Sequence, residues 1–390
     1  MIKIVFLMTS CKKSGPVQQM LNIIKNLDRK VFEPILVTLY EEDKELSQLH
    51  LFEPHVKHVL APTGKKEIIL GRDRTLRRVL AEIGPDVVHS LGVFPDYAVS
   101  RIKKYNQIIT LRNYVYEDYL AKFGKLKGTI LAKLHLYAMT HTKKTVACSE
   151  SLSKIYKREL NMTYDFVRNG VDIDQYSRAT EDEKMVIRKE MNLPLNSFIF
   201  VYTGQLIERK NMDFLLRTYI KTFKDMEYYL LVLGGGAKLD ELKAKYGHIE
   251  NIDFRGNVLN VNHYLKACDA YVSASKSEGL PNGVLEAMAT GLPVILSDIP
   301  QHIEVYEANT DCGFIFDINS EDALAVCLRK MTEVDYKKMG AAAYDSAHMN
   351  FSSPLMSGKY QELYKELAGH TAIEGEAVRK LPINSPVTFS

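Results

Sequence analysis

The chain has 390 residues, of which 46% are hydrophobic and 25% charged, and its formal charge is +3. This composition excludes a disordered chain, and the length suits two domains better than one core. No run approaches the roughly 20 apolar residues that a helix needs to span a bilayer. We therefore expect neither a transmembrane helix nor a secretory signal peptide.

The first half alternates strand and helix patterns. Apart from Lys3, residues 2–8 form an apolar run, which is typical of a central parallel strand covered on both faces. A polar loop containing Gly15 follows, and after it apolar residues recur three and four positions apart, as in a helix. Further strands are predicted at residues 32–39, 86–90, 107–111 and 144–148. This alternation predicts a doubly wound α/β domain.

The second half repeats the pattern and predicts a second domain of the same kind. Its strands are predicted at residues 197–203, 228–233, 252–255, 270–273, 293–296 and 313–317. We place an N-terminal Rossmann-like domain at residues 1–170 and a C-terminal one at residues 171–352. A helix at about 353–367 is a candidate to pack back on the first domain, and residues 369–390 are expected to form a flexible tail.

The charge is distributed unevenly between the two halves. Residues 1–180 contain 29 Lys and Arg against 19 Asp and Glu, whereas the remainder contains 22 against 29. A basic half is either an ordinary solvated surface or a face for an anionic partner, such as a phospholipid surface, a lipid phosphate or a nucleic acid. Charge alone leaves both interpretations open.

Residues 120–144 combine many lysines with leucine, isoleucine and methionine. One interpretation is a basic amphipathic helix that lies on an anionic membrane. The other is a domain helix whose apolar face packs on the sheet, with the lysine stems running along it. The sequence does not decide between them.

The five cysteines, at positions 11, 148, 268, 312 and 327, are scattered, and none forms a Cys-x-x-Cys pair. This pattern indicates reduced thiols and favours a cytoplasmic protein. The sequence also contains no His-x-His or His-Glu-x-x-His pattern, so we expect no bound metal.

The most informative stretch is SEGLPNGVLEAMA at residues 277–289. Gly279, Pro281 and Gly283 let a ligand approach the backbone closely. A helix that begins near Asn282 presents free N–H groups and the positive end of its dipole to an anion. The stretch therefore predicts a binding site for a diphosphate.

Charged residues flank this predicted diphosphate-binding site in the sequence. Glu278 precedes the helix and Glu286 lies about one turn inside it, so each can accept hydrogen bonds from the hydroxyls of a ligand on either side of the phosphates. Arg209 and Lys210 follow a predicted strand that ends in Gly204, at the edge where such sheets bind ligands. We expect this cationic pair to neutralise the phosphates.

Taken together, these stretches resemble glycosyltransferase family 4, a family of retaining transferases. Its members have the GT-B fold, in which two Rossmann-like domains face each other across a cleft. Glu278 and Glu286 match the E-x7-E motif of that family. The other matches are the basic pair Arg209-Lys210, the NGVD segment at 169–172, the base-binding turn at 254–258 and the G-x-P-V-I strand at 291–295.

The resemblance implies a role for each matching residue. Glu286 would hold the ribose and Glu278 would contact the donor sugar. Arg209 and Lys210 would hold the pyrophosphate, so that Glu278 and this pair form the catalytic group. The further donor-binding residues are Gly279, Leu280, Pro281, Asn282 and Gly283 at the sugar and phosphates, Gly204 before the basic pair, Arg255 and Val258 at the base, and Gly15 over the phosphates.

The chain departs from the family at two places in its first half. Family members often carry a double glycine where this chain has Ser14-Gly15-Pro16, and many carry a histidine where it has Arg112. An arginine can still bind a phosphate or an acidic acceptor. We take Arg112 and His89 as candidates for the acceptor side of the cleft.

The resemblance implies a retaining glycosyltransferase that uses a nucleotide sugar, with UDP favoured, and a glycan or lipid-linked acceptor in bacterial surface polysaccharide biosynthesis. It implies a metal-independent reaction without a cofactor, in the cytoplasm or peripherally on the inner face of the membrane. An anionic membrane surface is a candidate partner of the basic half, and no nucleic acid is expected. The alternatives are a non-catalytic nucleotide-sugar-binding protein and a sugar-nucleotide epimerase.

Overall fold

The computed structural model describes residues 1–223 and 226–369. These residues form two parallel sheets, of seven and six strands, each packed between helices. The prediction of two Rossmann-like α/β domains is therefore confirmed. The predicted tail lies outside the described residues except for Gly369.

The first sheet contains β1 (Ile2–Met8), β2 (Phe32–Thr38), β3 (Lys57–Leu60), β4 (Val87–Leu91), β5 (Asn106–Leu111), β6 (Lys144–Ala147) and β7 (Asp165–Phe166). Its strand order is β3-β2-β1-β4-β5-β6-β7. The central strand β1 is buried between β2 and β4, as its apolar run predicted. The sequence did not reveal the two edge strands β3 and β7, because one is partly exposed and the other has two residues.

The helices of this domain are α1 (Gly15–Lys25), α2 (Leu49–Phe52), α3 (Lys65–Ile69), α4 (Arg74–Ile83), α5 (Val93–Ser100), α6 (Val115–Thr140) and α7 (Glu150–Leu160). Helix α1 begins directly after β1 and its loop. Its N-cap Ser14 accepts a hydrogen bond from the N–H of Val17 at 3.4 Å, and Pro16 occupies the first turn. The N-terminus of α1 therefore faces the second domain, where Gly15 lies next to Asn282.

Helix α6 consists of two parts. At Gly124 the φ angle is +74°, in the left-handed region that a glycine adopts without strain, and the backbone bends there. The two parts pack closely, since a Cβ placed on Gly128 would lie 2.5 Å from the carbonyl oxygen of Tyr119. Despite its 26 residues, α6 lacks the apolarity that crossing a bilayer requires, and the same holds for every other helix in the described ranges.

The second sheet contains β8 (Phe198–Thr203), β9 (Tyr228–Leu233), β10 (Ile252–Gly256), β11 (Ala270–Ser273), β12 (Val294–Ser297) and β13 (Gly313–Phe316), in the order β10-β9-β8-β11-β12-β13. Its helices are α8 (Glu181–Glu190), α9 (Met212–Thr222), α10 (Leu239–Tyr246), α11 (Val261–Lys266), α12 (Asn282–Ala289), α13 (Pro300–Tyr306), α14 (Glu321–Glu333) and α15 (Tyr336–Asn350). Strands β8 and β11 are central, so the loops that follow them meet at one edge.

Helix α8 leads the chain into this domain and is held there by a buried ion pair. Arg188 donates to Asp269 at 2.7 Å, and Lys184 pairs with the other oxygen of the same carboxylate. The Asp269 carboxylate also accepts the N–H of Ile199 at 2.7 Å, at the start of β8. The carboxylate therefore ties the entry helix to the central strand.

The last described helix, α16 (Ser353–Leu367), lies on the first domain although the chain reaches it from the second. It packs against α1, and Met356, Tyr360 and Tyr364 belong to the core on that face of the first sheet. The chain therefore crosses between the domains twice. The two crossings run side by side, because Val171 exchanges backbone hydrogen bonds of 2.8 Å with Phe351 and Ser353.

Candidate active site

The start of α12 presents unused hydrogen-bond donors to the cleft. Pro281 precedes the helix, and no side chain caps it. Among the hydrogen bonds of the described residues, the backbone N–H groups of Asn282 and Gly283 have no acceptor. Free N–H groups and the positive end of the helix dipole favour an anion at this point.

Arg209 and Lys210 contact the loop that leads into this helix. They form a short 3-10 turn (Glu208–Lys210) after β8, while Glu278 follows β11. Arg209 Nη1 donates to Glu278 Oε2 at 2.8 Å and to the carbonyl oxygen of Ser277 at 2.7 Å, and Lys210 pairs with the other oxygen of Glu278. The structure thus brings together the three residues that the sequence proposed as the catalytic group.

The electrostatics of this cluster keep Glu278 ionised. Burial by itself raises the pKa of Glu278, but the charges of Lys210 and Arg209 outweigh it and lower the pKa to about 2. The Nε atom of Arg209 is buried and has no hydrogen-bond partner among the described residues. The cluster has two cations and one anion, so an excess positive charge remains for a ligand.

Glu286 lies in a different environment from Glu278. It lines a small cavity between the domains, together with residues of α1, of the 170–176 segment and of α12: Gln18, Gln19, Asn22, Gly170, Val171, Asp172, Tyr176, Asn282 and Leu285. Burial raises the pKa of Glu286 to about 7, although a hydrogen bond from Tyr176 and the charge of Lys13 lower it. The two glutamates of the motif therefore have opposite pKa shifts.

The loop between β11 and α12 packs too closely on its surroundings to admit larger side chains. A Cβ on Gly279 would lie 1.7 Å from the carbonyl oxygen of Arg112, across the domain boundary. A Cβ on Gly283 would lie 2.5 Å from Oγ1 of Thr203, at the end of β8. Gly279 thus lets the loop contact the first domain, and Gly283 lets the first turn of α12 contact the end of β8. Leu280 and Pro281 between them are buried.

Side-chain amides connect this loop to the first domain. Asn169 Nδ2 donates to the carbonyl oxygen of Leu280 at 3.1 Å and to Asn282 Oδ1 at 3.0 Å. Gln19 on α1 donates to the same Asn282 oxygen at 3.2 Å. Gly15 also faces this side chain, since its Cβ would lie 3.0 Å from Asn282 Nδ2. The predicted donor-side residues Gly15 and Asn282 thus meet across the cleft.

Arg112 lies at the domain boundary, where its guanidinium makes one of its possible hydrogen bonds to Asn169. Its Nη1 donates to Asn169 Oδ1 at 2.6 Å. Its Nε and Nη2 atoms are buried and, among the described residues, have no partner. A guanidinium with two unused donors beside the cleft is suited to an anionic group. Its role on the acceptor side stays a prediction.

His89 is not a cleft residue, and this prediction was wrong. Its side chain is fully buried in the first domain. Its Nδ1 lies 2.6 Å from the hydroxyl of Tyr364, and its Nε2 lies 2.8 Å from Oγ1 of Thr110, which in turn contacts the hydroxyl of Tyr360 at 2.8 Å. Burial and the charge of Arg112 lower the pKa of His89 to about 3. It is a neutral core residue that binds α16.

The remaining predicted donor residues lie around the second sheet's edge. Gly204 is packed at the end of β8, where its carbonyl oxygen would lie 1.8 Å from a Cβ on Gly234. The carbonyl oxygen of Val258 accepts a 3.0 Å hydrogen bond from Lys13 of the first domain. Arg255 points elsewhere, because its guanidinium binds Asp253 at 2.5 Å and the carbonyl oxygen of Met191 at 3.1 Å. Any contact of Arg255 with a base would therefore come from its backbone.

A second contact between the domains escaped the sequence reasoning. Glu304 on α13 accepts the N–H groups of Glu150 and Ser151, at 3.0 and 2.8 Å, in the first turn of α7. The hydroxyl of Ser149, the N-cap of α7, donates to the carbonyl oxygen of Gly279 at 2.7 Å. Nothing in the local sequence of Glu304 indicates this partner, which lies more than 150 positions away. Tyr176 was also missed, although it follows the matched NGVD segment by four residues.

No group of three or more His, Cys, Asp or Glu side chains is placed to hold a metal ion within residues 1–223 and 226–369. All five cysteines are buried free thiols that form no disulfide. Burial raises the pKa of the Cys148 thiol to about 12, so this residue next to the cleft is a poor nucleophile.

Two family models match the chain, one for each domain. The model described as Glycosyltransferase Family 4 matches residues 13–175, and the model described as Glycosyl transferases group 1 matches residues 183–346. Together they cover the residues on both sides of the cleft described above.

Known proteins resemble the chain over most of its length. The O-antigen biosynthesis glycosyltransferase WclY of Escherichia coli is 26% identical over 94% of this chain and 99% of its own length. The UDP-Gal:alpha-D-GlcNAc-diphosphoundecaprenol alpha-1,3-galactosyltransferase of the same species is 26% identical, with 83% and 79% covered. The solved structure of Anabaena HepE in complex with UDP has the same fold, with a TM-score of 0.76, 15% identity and 94% and 100% covered. The chain is a glycosyltransferase with the GT-B fold and belongs to glycosyltransferase family 4.

Proposed function

We propose that this enzyme transfers a sugar from a UDP-sugar to a glycan or lipid-linked acceptor, with retention of the anomeric configuration. The observation that carries the proposal is the contact of Arg209 and Lys210 with Glu278, in the loop that leads to the uncapped start of α12. UDP is favoured because HepE binds UDP in its solved complex and because one relative is named for UDP-Gal.

Arg209 and Lys210 would bind the pyrophosphate of the donor. When the bond between the sugar and the phosphate breaks, negative charge grows on the leaving nucleoside diphosphate. The excess positive charge of the cluster and the N–H groups of Asn282 and Gly283, which have no acceptor among the described residues, would stabilise that charge. The pair would then exchange part of its contact with Glu278 for contact with phosphate.

Glu278 would hold the donor sugar as a hydrogen-bond acceptor. A carboxyl with a pKa of about 2 is ionised at neutral pH and carries no proton, so it cannot act as a general acid. Its oxygens accept hydrogen bonds from sugar hydroxyls instead. In the proposed reaction the acceptor hydroxyl attacks on the face from which the phosphate departs, and its proton passes to the leaving phosphate oxygen.

Glu286 would hold the hydroxyls of the nucleotide ribose. It lies one turn inside α12, in the cavity next to Tyr176 and the first-domain residues Gln18 and Gln19. A ligand here contacts both domains, so donor binding would hold the cleft closed over the reacting groups.

The same arrangement supports a reaction that needs no metal. Two cations and a helix N-terminus supply the positive charge that a divalent ion supplies in other transferases. We expect EDTA to leave the turnover unchanged. A loss of turnover in EDTA that Mg²⁺ or Mn²⁺ restores would contradict this part of the proposal.

We also propose that the acceptor carries a lipid and that the reaction takes place on the cytoplasmic face of a membrane, during assembly of a surface polysaccharide. The support is the basic first half of the chain and two relatives, one named for O-antigen biosynthesis and the other for a diphosphoundecaprenol-linked acceptor. Arg112, whose Nε and Nη2 atoms have no partner among residues 1–223 and 226–369, is the first-domain residue best suited to an anionic group of such an acceptor.

The central test is a panel of UDP-, GDP- and ADP-sugars, with binding measured by thermal shift and turnover by release of the nucleoside diphosphate. We expect UDP-sugars to raise the melting temperature and to be hydrolysed slowly in the absence of acceptor. Lys210→Met should lower turnover about 100-fold or more, because a charged group at the leaving phosphate is lost. Lys221→Met, which removes an exposed lysine of the same domain, serves as the matched control.

Three outcomes would contradict the proposal. Stabilisation by GDP- or ADP-sugars alone would assign another nucleotide. Equal turnover of Lys210→Met and the control would show that the cationic pair does not act on the leaving phosphate. Donor binding without release of nucleotide, with or without acceptor glycans, would favour the alternative of a non-catalytic nucleotide-sugar-binding protein.

A further inference from the structure

Helix α6 exposes an apolar surface on its outer side. Leu126 and Ile130 lie four residues apart on one stripe of the helix, and 78% and 58% of their surfaces are exposed. Phe123, immediately before the bend at Gly124, is 48% exposed. Single exposed leucines are common on protein surfaces, but three large apolar side chains at one bend form a patch.

Lysines surround this patch. Lys122, Lys125, Lys127 and Lys133 are all exposed. Lys122 pairs with Asp118 at 2.8 Å, whereas the other three form no ion pair within the described part of the chain. An apolar stripe bordered by uncompensated lysines matches the composition of helices that lie in the interface of an anionic bilayer.

The opposite side of α6 anchors the helix to its domain. Gly128, Ala132 and Met139 are buried there. His135 on the same side binds Asp96 of α5 at 2.9 Å and the hydroxyl of Tyr119 at 2.8 Å. Packing on the domain therefore uses other residues than the exposed stripe. The two interpretations of this segment, a packed helix and a membrane-facing helix, apply to different faces.

The first part of α6 leads from this patch to the cleft. It begins three residues after Arg112, and Asp118 in its first turns has only 12% of its side chain exposed. Asp118 accepts a hydrogen bond at 3.4 Å from Asn113, the residue after Arg112, and its charge contributes to raising the pKa of Arg209 in the other domain. One helix thus extends from the acceptor side of the cleft to the exposed stripe.

We propose that Phe123, Leu126 and Ile130, with the lysines around them, dock this enzyme on an anionic phospholipid surface. The inference deepens the proposed function, on which it rests, because it names the surface through which a lipid-linked acceptor is reached. With the stripe in the headgroup region, the glycan of the acceptor enters the cleft past Asp118 while its lipid stays in the membrane.

The test is co-sedimentation of the full chain with phosphatidylcholine vesicles that contain or lack phosphatidylglycerol. We expect binding to the anionic vesicles, which weakens at high salt. Leu126→Ser combined with Ile130→Ser should weaken binding about 100-fold, since two side chains no longer enter the apolar region. Lys125→Gln combined with Lys127→Gln should weaken it about thirtyfold. Met349→Ser, which changes a residue of the second domain that is 67% exposed, is the matched control and should bind like the original chain.

Donor binding and donor hydrolysis of each variant separate this inference from the proposed function. Both should equal those of the original chain, because the substituted residues lie outside the candidate active site. Absence of vesicle binding at any salt concentration would overturn the inference, and so would equal binding by the Leu126/Ile130 variant. A chain that dimerises without lipid and becomes monomeric in that variant would assign the patch to a second copy instead.

Discussion

Lowering the pH from 8 to 6 should weaken donor binding through protonation of Glu286. Burial raises the pKa of this carboxyl to about 7 in the ligand-free enzyme. Two ribose hydroxyls donating to one carboxylate stabilise its ionised form, so donor binding lowers the pKa and favours the charged state. Protonation therefore competes with the donor, and binding is tightest at pH values above the pKa of the free enzyme.

The size of the effect follows from the ionised fraction of Glu286. With a pKa of about 7, roughly nine-tenths of the carboxyl is ionised at pH 8 and roughly one-tenth at pH 6. If the donor binds the ionised form, its Kd rises about tenfold over this range, which corresponds to about 1.4 kcal/mol. Tyr176→Phe should move the transition to higher pH, because the hydrogen bond that it removes lowers the pKa of Glu286.

Isothermal titration with UDP-glucose suits the measurement, because the diphosphate of a sugar nucleotide does not titrate between pH 6 and 8. Titrations at pH 7 in two buffers of different ionisation enthalpy should show release of about half a proton for each donor bound. Glu286→Gln should bind more weakly at pH 8 and show little dependence on pH. A Glu286→Gln enzyme that keeps the tenfold change, or an original enzyme whose Kd is constant from pH 6 to 8, would refute the reasoning.

Two further predictions concern packing and a buried charge. Gly279→Ala should lower the melting temperature and weaken donor binding, because its Cβ would lie 1.7 Å from the carbonyl oxygen of Arg112 and would push the two domains apart. Gly358→Ala, on α16 with no atom within 4 Å of the new Cβ, is the control, and an equal melting temperature of the two variants would argue against this contact. Asp269→Asn should reduce the free energy of unfolding in urea by about 3–5 kcal/mol, since it leaves the two buried cations of α8 uncompensated. The control is Asp213→Asn, in a half-exposed cluster, which should change the free energy of unfolding by less than about 1 kcal/mol. Similar losses of stability in both variants would show that burial of the Asp269 ion pairs does not raise the cost of removing the carboxylate charge.

The fold could be predicted from the sequence because its signals are local. A central parallel strand such as β1 is apolar at every position except Lys3, and its loop, N-cap and helix follow directly along the chain. The same holds for the stretch from Glu278 to Glu286, where a loop containing Gly279 precedes an uncapped helix with Gly283 in its first turn. The position of Arg209 and Lys210 followed from parallel topology, since loops after neighbouring central strands lie at the same edge.

The rest depends on contacts between residues that are far apart in the sequence. His89 lies in the buried strand β4, and the hydroxyl of Tyr364, 275 positions later, contacts its ring. Glu304 contacts the first turn of α7 across the domain boundary, more than 150 positions away along the chain. The opposite pKa shifts of Glu278 and Glu286 are equally non-local, because one carboxylate meets two cations and the other does not.

Helix α16 has a consequence for the synthesis of this protein. Tyr360 and Tyr364 fill the first domain's interior next to His89, yet they are among the last described residues to leave the ribosome. Residues 1–170 therefore emerge with a polar imidazole and an apolar groove still uncovered. The N-terminal domain would complete its core only after the C-terminal domain has been translated, so a nascent chain arrested before residue 360 is a natural client for chaperones.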